Sequence, residues 1–140
     1  GIKTLPLRME QHQKNAFAIA KWLQEQPRVQ YVLYPGLENH PGYEINKAQT
    51  TGFGGMISFA VDSAETARQI LEGVKLIKFA ESLGGTESLI TYPIRQTHTD
   101  LTAEECAEKG ITDCLLRFST GIEATQKLID DLAQAFAAVI

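Results

Sequence analysis

The segment Cys114-Leu115-Leu116-Arg117-Phe118-Ser119 has the composition of a half-buried or buried β-strand, with one charged residue inside an apolar run. After Gly121, apolar residues recur at three- and four-residue spacing from Ile122 to Val139. This spacing predicts a closing amphipathic helix whose buried side is apolar. The last quarter of the chain is therefore predicted to be a strand followed by a helix.

The rest of the chain contains further elements of both kinds. Residues 5–26 have helical periodicity and end at Pro27, which donates no amide hydrogen bond. Asp62 with Glu65, and Thr102 with Glu105, have the spacing of capping boxes, and Gly73 and Gly110 are predicted to end the two helices. We predict strands over 29–34, 56–61, 76–80 and 89–92, helices over 5–26, 62–73 and 102–110, and a polar loop at 40–43.

The order of these elements favours one fold class. Links are short and strands often follow one another directly, which is typical of an α+β fold and not of a doubly wound parallel sheet. We predict a mostly antiparallel sheet of four to five strands with helices packed on one face. A length of 140 residues suits a single domain.

Composition excludes several classes of function. Hydrophobic residues make up 44% and charged residues 21%, which predicts a folded chain, and the net charge is −4 with no basic cluster. We therefore expect neither a nucleic-acid partner nor a membrane partner. The two cysteines, Cys106 and Cys114, have no histidine at metal-ligand spacing and are too few for a disulfide framework. We expect no metal site and a cytoplasmic protein.

Arg117 is the most informative single residue, because a guanidinium in an apolar strand needs an anion. Its planar set of donors suits a carboxylate, and such a pair is worth about 1.5 to 3 kcal/mol when water is excluded. A ligand carboxylate is one candidate partner. The alternatives are an internal Asp or Glu, or a position on an edge strand that faces water.

Three other segments contain residues suited to chemistry. Residues 52–55 are rich in glycine, but no helix N-terminus or Lys-Ser/Thr pair follows them, so we interpret them as a strand entry. His98 lies near Asp100, but no Ser or Cys has the sequence context of a catalytic nucleophile, so we interpret His98 as structural. Residues 81–88 place carboxylates and hydroxyls in a turn that either binds a ligand or is a polar hairpin.

Several motifs, taken together, closely resemble the C-terminal part of the cystathionine γ-synthase and γ-lyase family, over essentially the whole chain. Their order and spacing fit the family, and so does the opening helix. The motifs are Ala80-Glu81-Ser82-Leu83-Gly84-Gly85, Glu87-Ser88-Leu89-Ile90, Thr97-His98, Gly110-Ile111-Thr112-Asp113, Leu115-Leu116-Arg117-Phe118-Ser119 and Gly121-Ile122-Glu123, with His40-Pro41-Gly42 and Gly52-Phe53-Gly54-Gly55-Met56 upstream.

The resemblance implies a fold-type I enzyme that uses pyridoxal phosphate (PLP), with a large cofactor domain and a small substrate-binding domain. Arg117 matches the arginine that binds the substrate α-carboxylate, and Thr97 matches a threonine that helps fix the same group. Ser82 matches a serine beside cofactor and substrate. Glu81 matches a glutamate that faces the distal end of the substrate in γ-acting members, which favours the γ-synthase or γ-lyase branch over the β-lyase branch.

The family's Schiff-base lysine follows a Ser-x-Thr pattern that no lysine in this sequence has. The resemblance therefore implies that residues 1–140 are the C-terminal domain, with 1–27 a helix leading from an absent PLP domain, as the lack of an initial Met also suggests. We expect no bound cofactor and no turnover from this chain alone. The complete enzyme is expected to be a homotetramer acting on a homoserine ester, cystathionine or cysteine. The alternatives are a methionine γ-lyase, an O-acyl-homoserine sulfhydrylase, or a stand-alone noncatalytic amino-acid-binding module.

Overall fold

The structure, a computed structural model, describes residues 1–96 and 100–140, which contain five α-helices, five strands and two short 3-10 helices. The strands form one sheet, and the three longest helices pack beside it. The helices are α1 (Leu5–Gln24), α2 (Tyr43–Gln49), α3 (Ala64–Gly73), α4 (Ala103–Glu108) and α5 (Thr125–Ala137). The strands are β1 (Val29–Leu33), β2 (Met56–Val61), β3 (Lys78–Phe79), β4 (Leu89–Thr91) and β5 (Leu115–Ser119).

The sheet has the order β1-β2-β5-β4-β3, so β5 is its central strand. All neighbouring strands are antiparallel except β3 and β4, which are parallel. The predicted α+β class with a mostly antiparallel sheet is therefore confirmed. The central position of β5 also contradicts the interpretation of Arg117 as a residue of an edge strand.

One face of the sheet carries the hydrophobic core. Successive side chains of a strand point to opposite faces, and on β5 the fully buried Leu116 and Phe118 belong to the core. Ile57 and Phe59 of β2 lie on the same face and are also fully buried. Helices α1, α3 and α5 contribute the other side of this core, and α5 contacts both α1 and α3.

The opposite face is covered only in part. Leu115 packs there in a small second cluster with Cys106 of α4 and with Ile111. Towards the other edge, Tyr31 and Leu33 of β1 remain 40% and 42% exposed. Arg117 lies on this second face, between the covered and the open part.

The first predicted capping box is wrong. Ser63, not Asp62, is the N-cap of α3, and its hydroxyl accepts from the Thr66 amide at 3.0 Å. Asp62 instead accepts from the Thr66 hydroxyl, and Glu65 pairs with Arg68. The second predicted box, Thr102 with Glu105, is present as expected and begins α4.

Residues 81–88 do not form a hairpin, since β3 and β4 are parallel. Parallel strands start at the same end of a sheet, so the connection must run back along β3 before β4 begins. This return path takes residues 81–88, called here the 81–88 loop, past the end of the central strand. Its polar groups are thereby placed beside Arg117.

No described helix is long and apolar enough to cross a bilayer. Within the same residues, no cluster of three His, Cys, Asp or Glu side chains has the geometry of a metal site.

Candidate functional site

Arg117 occupies the middle of the central strand on the partly open face of the sheet. Its cross-strand neighbours are Ser58 on β2 and Thr91 on β4, so small hydroxyl residues lie on both sides of Arg117. Leu33 pairs with Ser58 and extends the same row to the sheet edge. Short neighbours leave the long arginine side chain room to extend over this face, where it is half-buried.

The guanidinium is oriented by neutral oxygens. Nη2 donates to the Glu81 carbonyl at 3.0 Å and to the Thr91 hydroxyl at 3.4 Å. The Thr91 hydroxyl in turn donates to the Ala80 carbonyl at 2.7 Å. No carboxylate of the described residues lies within 4.0 Å of Arg117. The alternative that an internal Asp or Glu pairs with Arg117 therefore has no support among these residues. Only Nη2 of the guanidinium bonds to a described residue, so the other N–H donors are available to an anion.

Two of the other predicted site residues lie next to this cation. Glu81 contacts Arg117 through its backbone carbonyl, while its side chain is exposed. Ser82 follows it, is exposed, and its hydroxyl forms no hydrogen bond with a described residue. Both side chains are thus free to meet a ligand. The third, Thr97, lies outside the described residues, as does His98.

A second polar cluster, which sequence reasoning missed, lies beneath the 81–88 loop. Ser88 is fully buried, and both its amide and its hydroxyl donate to the Glu123 carboxylate, at 2.7 and 2.9 Å. The Ser119 hydroxyl accepts from the Gly84 amide at 2.9 Å. These partners are 35 residues apart in the chain, so no local pattern in the sequence indicated them.

Helix α1 is bound to the same region from the core side. The fully buried Asn15 donates to the carbonyls of Gly121 and Glu123, both at 2.9 Å. His12 is also buried and donates through Nδ1 to the Thr120 carbonyl. The turn after β5 therefore has a fixed position between α1 and the 81–88 loop. The role of His12 is therefore structural.

Comparison with known proteins identifies the family. The family model described as "Cys/Met metabolism PLP-dependent enzyme" matches residues 1–137. The chain belongs to this family. Family members use PLP, which is therefore the cofactor to consider at this site.

Individual relatives agree with the family assignment. Cystathionine γ-lyase of Dictyostelium discoideum is 52% identical over 96% of this chain and 35% of its own length. Cystathionine γ-synthase of Haemophilus influenzae is 50% identical over 98% of this chain and 33% of its own. Cystathionine β-lyase of Lactococcus lactis is 47% identical over 96% of this chain and 36% of its own length. The chain thus spans about a third of the length of these curated relatives.

A solved structure supports the fold. Cystathionine γ-lyase from Lactobacillus plantarum, complexed with L-serine, superimposes with a TM-score of 0.93 at 40% identity, covering 98% of this chain and 36% of the other. The predicted α+β fold class is therefore confirmed, and the fold is that of part of a PLP-dependent enzyme of this family.

The side chains around Arg117 do not fit PLP on their own. The cofactor needs a lysine for covalent attachment and groups that bind its phosphate and ring nitrogen. Every lysine of this chain is exposed, and no described lysine side chain forms a hydrogen bond with Arg117 or with the 81–88 loop. The arrangement instead suits recognition of a small anion, by one cation with hydroxyl and amide groups around it.

Proposed function

We propose that this chain is the C-terminal substrate-binding domain of a PLP-dependent enzyme of the cystathionine γ-synthase or γ-lyase type. The observation that carries the proposal is Arg117, a cation on the central strand with no carboxylate partner among the described residues. A half-buried guanidinium costs desolvation energy unless an anion joins it. The α-carboxylate of an amino acid is an anion of the right shape.

The neighbouring residues have distinct proposed roles. The Glu81 carbonyl and the Thr91 hydroxyl orient one end of the guanidinium, which leaves its other donors for the carboxylate. Ser82 contacts the substrate beside the cofactor, and Thr97 assists in binding the carboxylate. The exposed Glu81 carboxylate faces the distal end of the substrate.

The cofactor supplies the electron sink that makes the chemistry possible, and in this proposal a domain outside residues 1–140 carries it. The present chain binds and orients the amino acid, which fits its share of about a third of each relative's length. We therefore expect no turnover from the 140-residue chain alone. The homotetramer proposed for the complete enzyme rests on the family resemblance. The proposal fits the L-serine complex of the Lactobacillus plantarum relative, because serine is an α-amino acid.

The reaction proposed for the complete enzyme is γ-replacement or γ-elimination on a homoserine ester or cystathionine, with Glu81 favouring the γ-acting branch. The β-lyase relative is almost as similar as the γ-acting ones, so the choice of branch depends on this side chain. Assays of the complete enzyme with cystathionine and with sulfide separate a γ-synthase or γ-lyase from a methionine γ-lyase or a sulfhydrylase.

The test of the Arg117 role compares two ligands that differ only in the carboxylate. In the full-length protein, Arg117→Ala should weaken L-cysteine binding about 10- to 150-fold, the equivalent of about 1.5 to 3 kcal/mol. Cysteamine, which lacks the carboxylate, should bind both proteins with affinities within about twofold. Calorimetric titration measures both. Arg68→Ala is the matched control, because Arg68 forms surface ion pairs with Glu65 and Glu72.

Equal loss of affinity for both ligands would mean that Arg117 shapes the site without recognising the carboxylate, and unchanged L-cysteine binding would overturn the proposed role altogether.

The intact mass of the native polypeptide tests the domain assignment. A chain much longer than 15.4 kDa supports it, whereas a native mass near 15.4 kDa favours the stand-alone binding module.

A further inference from the structure

The 81–88 loop is bound to the end of β5 and the following turn at three points. The Gly84 amide donates to the Ser119 hydroxyl at 2.9 Å, and the Ile122 amide donates to the Thr86 carbonyl at 2.9 Å. Ser88 donates twice to the Glu123 carboxylate, at 2.7 and 2.9 Å. Three contacts along eight residues fix the path of the loop.

The 81–88 loop and the turn after β5 are packed too closely to admit a side chain at Gly121. A Cβ at Gly121 would overlap the Thr86 carbonyl and the Glu123 carboxylate. The Gly121 amide also donates to the Ser88 hydroxyl at 2.8 Å, so this buried hydroxyl both donates and accepts. Because Asn15 binds the same turn from the core side, the turn is a rigid support for the loop.

The part of the loop nearest Arg117 has few contacts of its own. Residues 81–84 are exposed. The contacts that place them are the Glu81 carbonyl on Arg117 and the Gly84 amide on Ser119. The position of Ser82 therefore depends on Ser119 at one side and on Arg117 at the other.

We propose that Ser119 and Glu123 are positioning residues of the substrate site, acting through the 81–88 loop. Ser119 fixes the loop tip two residues after Ser82, and Glu123 fixes the end of the loop at Ser88. Together they keep the Glu81 carbonyl on the guanidinium, so that its remaining donors face the substrate carboxylate. This inference rests on the proposed function of Arg117.

The test uses the full-length holoenzyme and four variants. Ser119→Ala removes one hydroxyl, Glu123→Ala removes the double acceptor of Ser88, and Glu123→Gln keeps an oxygen that accepts from the Ser88 amide. Asp130→Ala is the matched control, because Asp130 is an exposed carboxylate of α5 that accepts only from Gln126 among the described residues. Two quantities are measured: amide hydrogen exchange of residues 81–88, and the dissociation constant of L-cysteine.

We expect Ser119→Ala and Glu123→Ala to speed exchange in the loop and to raise the dissociation constant about tenfold, since small displacements of positioning groups have large effects. Glu123→Gln should retain most of the affinity for L-cysteine, a result that would also follow if only the shape of the side chain mattered. The exchange rate of the loop in Glu123→Gln should lie between the rates of the wild type and of Glu123→Ala. Asp130→Ala should change neither quantity. The melting temperature of each variant shows that it is folded, and Ser119→Ala is the milder change if Glu123→Ala does not fold.

Faster exchange with an unchanged dissociation constant would overturn the inference, because the loop would then move without affecting binding. Unchanged exchange would overturn it as well. Arg117→Ala, titrated in the same way, separates a failure of the positioning role from a failure of the proposed function. If Arg117→Ala weakens L-cysteine binding and neither Ser119→Ala nor Glu123→Ala does, only the positioning role is wrong; if Arg117→Ala has no effect, the proposed function and this inference both fail.

Discussion

At the scale of single residues, Asp131 shows how one buried carboxylate fixes a chain path. Asp131 lies on α5, is 7% exposed, and accepts from the backbone amides of Lys75, Leu76 and Ile77 at 2.9 to 3.1 Å. Three consecutive amides around one carboxylate form an anion-binding concavity. The contact connects the last helix to the segment that enters β3.

Asp131→Ala should lower the free energy of unfolding by about 3 kcal/mol, because it removes the acceptor of the buried Ile77 contact and of the part-buried Lys75 and Leu76 amides. Asp131→Asn should cost less, since its side-chain oxygen still accepts. Urea denaturation measures both. The control is Asp130→Ala, which removes an exposed carboxylate one residue earlier and should change stability by less than about 0.5 kcal/mol. A cost for Asp131→Ala no larger than that of the control would contradict this account.

The sequence indicated some residues of the candidate site and not others. Arg117 stood out because a charge interrupts an apolar strand, a signal that lies entirely within six residues. Thr91 and Ser119 gave no such signal, since a hydroxyl residue is ordinary in a strand. Their roles arise from the sheet register and from a loop 35 residues before Ser119, which only the folded chain brings together.

At the scale of elements, local patterns predicted helix and strand types well and boundaries less well. The strand predicted at 56–61 is β2 without change. The strand predicted at 76–80 is only Lys78–Phe79, because the amides of Leu76 and Ile77 bond to Asp131 and not to a neighbouring strand. Helix α5 begins at Thr125 and not Ile122, because residues 122 and 123 bond to the 81–88 loop.

One helix was missed altogether. Residues 40–43 were predicted as a polar loop, and α2 starts at Tyr43 inside it. The helix has seven residues, its N-cap is Gly42 and no side chain caps it, so the sequence signals are weak: only Glu44 in the first turn and Lys47 in the last turn favour a helix. A tertiary contact also holds it, since Tyr43 stacks on Phe53 with ring centroids 5.5 Å apart.

The start of α3 gives a testable case of cap assignment. Because the Ser63 hydroxyl accepts from the Thr66 amide, Ser63→Ala should lower the free energy of unfolding by about 1 kcal/mol. Ser63→Asn should restore most of the loss, since asparagine is an equally good N-cap. Thermal or urea unfolding of the three proteins measures this. If asparagine gives no recovery, the cap is not the source of the effect.

At the scale of the whole molecule, the two faces of the sheet differ in their cover. One face is sealed by α1, α3 and α5, while the face with Arg117 is covered by α4 and the 81–88 loop only in part. The open part includes Tyr31 and Leu33 beside Ser58 and Arg117. In the proposed complete enzyme, the cofactor domain covers this face and closes the site.

An isolated 140-residue chain has no such cover, so we expect it to self-associate through the open sheet face. Leu33 is 42% exposed at the edge of that face, in the same cross-strand row as Arg117. Leu33→Lys should therefore lower the weight-average mass at a given concentration towards that of a monomer, as measured by sedimentation equilibrium. Ile45→Lys is the matched control, because Ile45 is 64% exposed on α2, away from the sheet, and its replacement should leave association unchanged. A monomeric wild-type chain at all concentrations, or equal effects of the two substitutions, would show that this face does not drive association and would weaken the argument that another domain normally covers it.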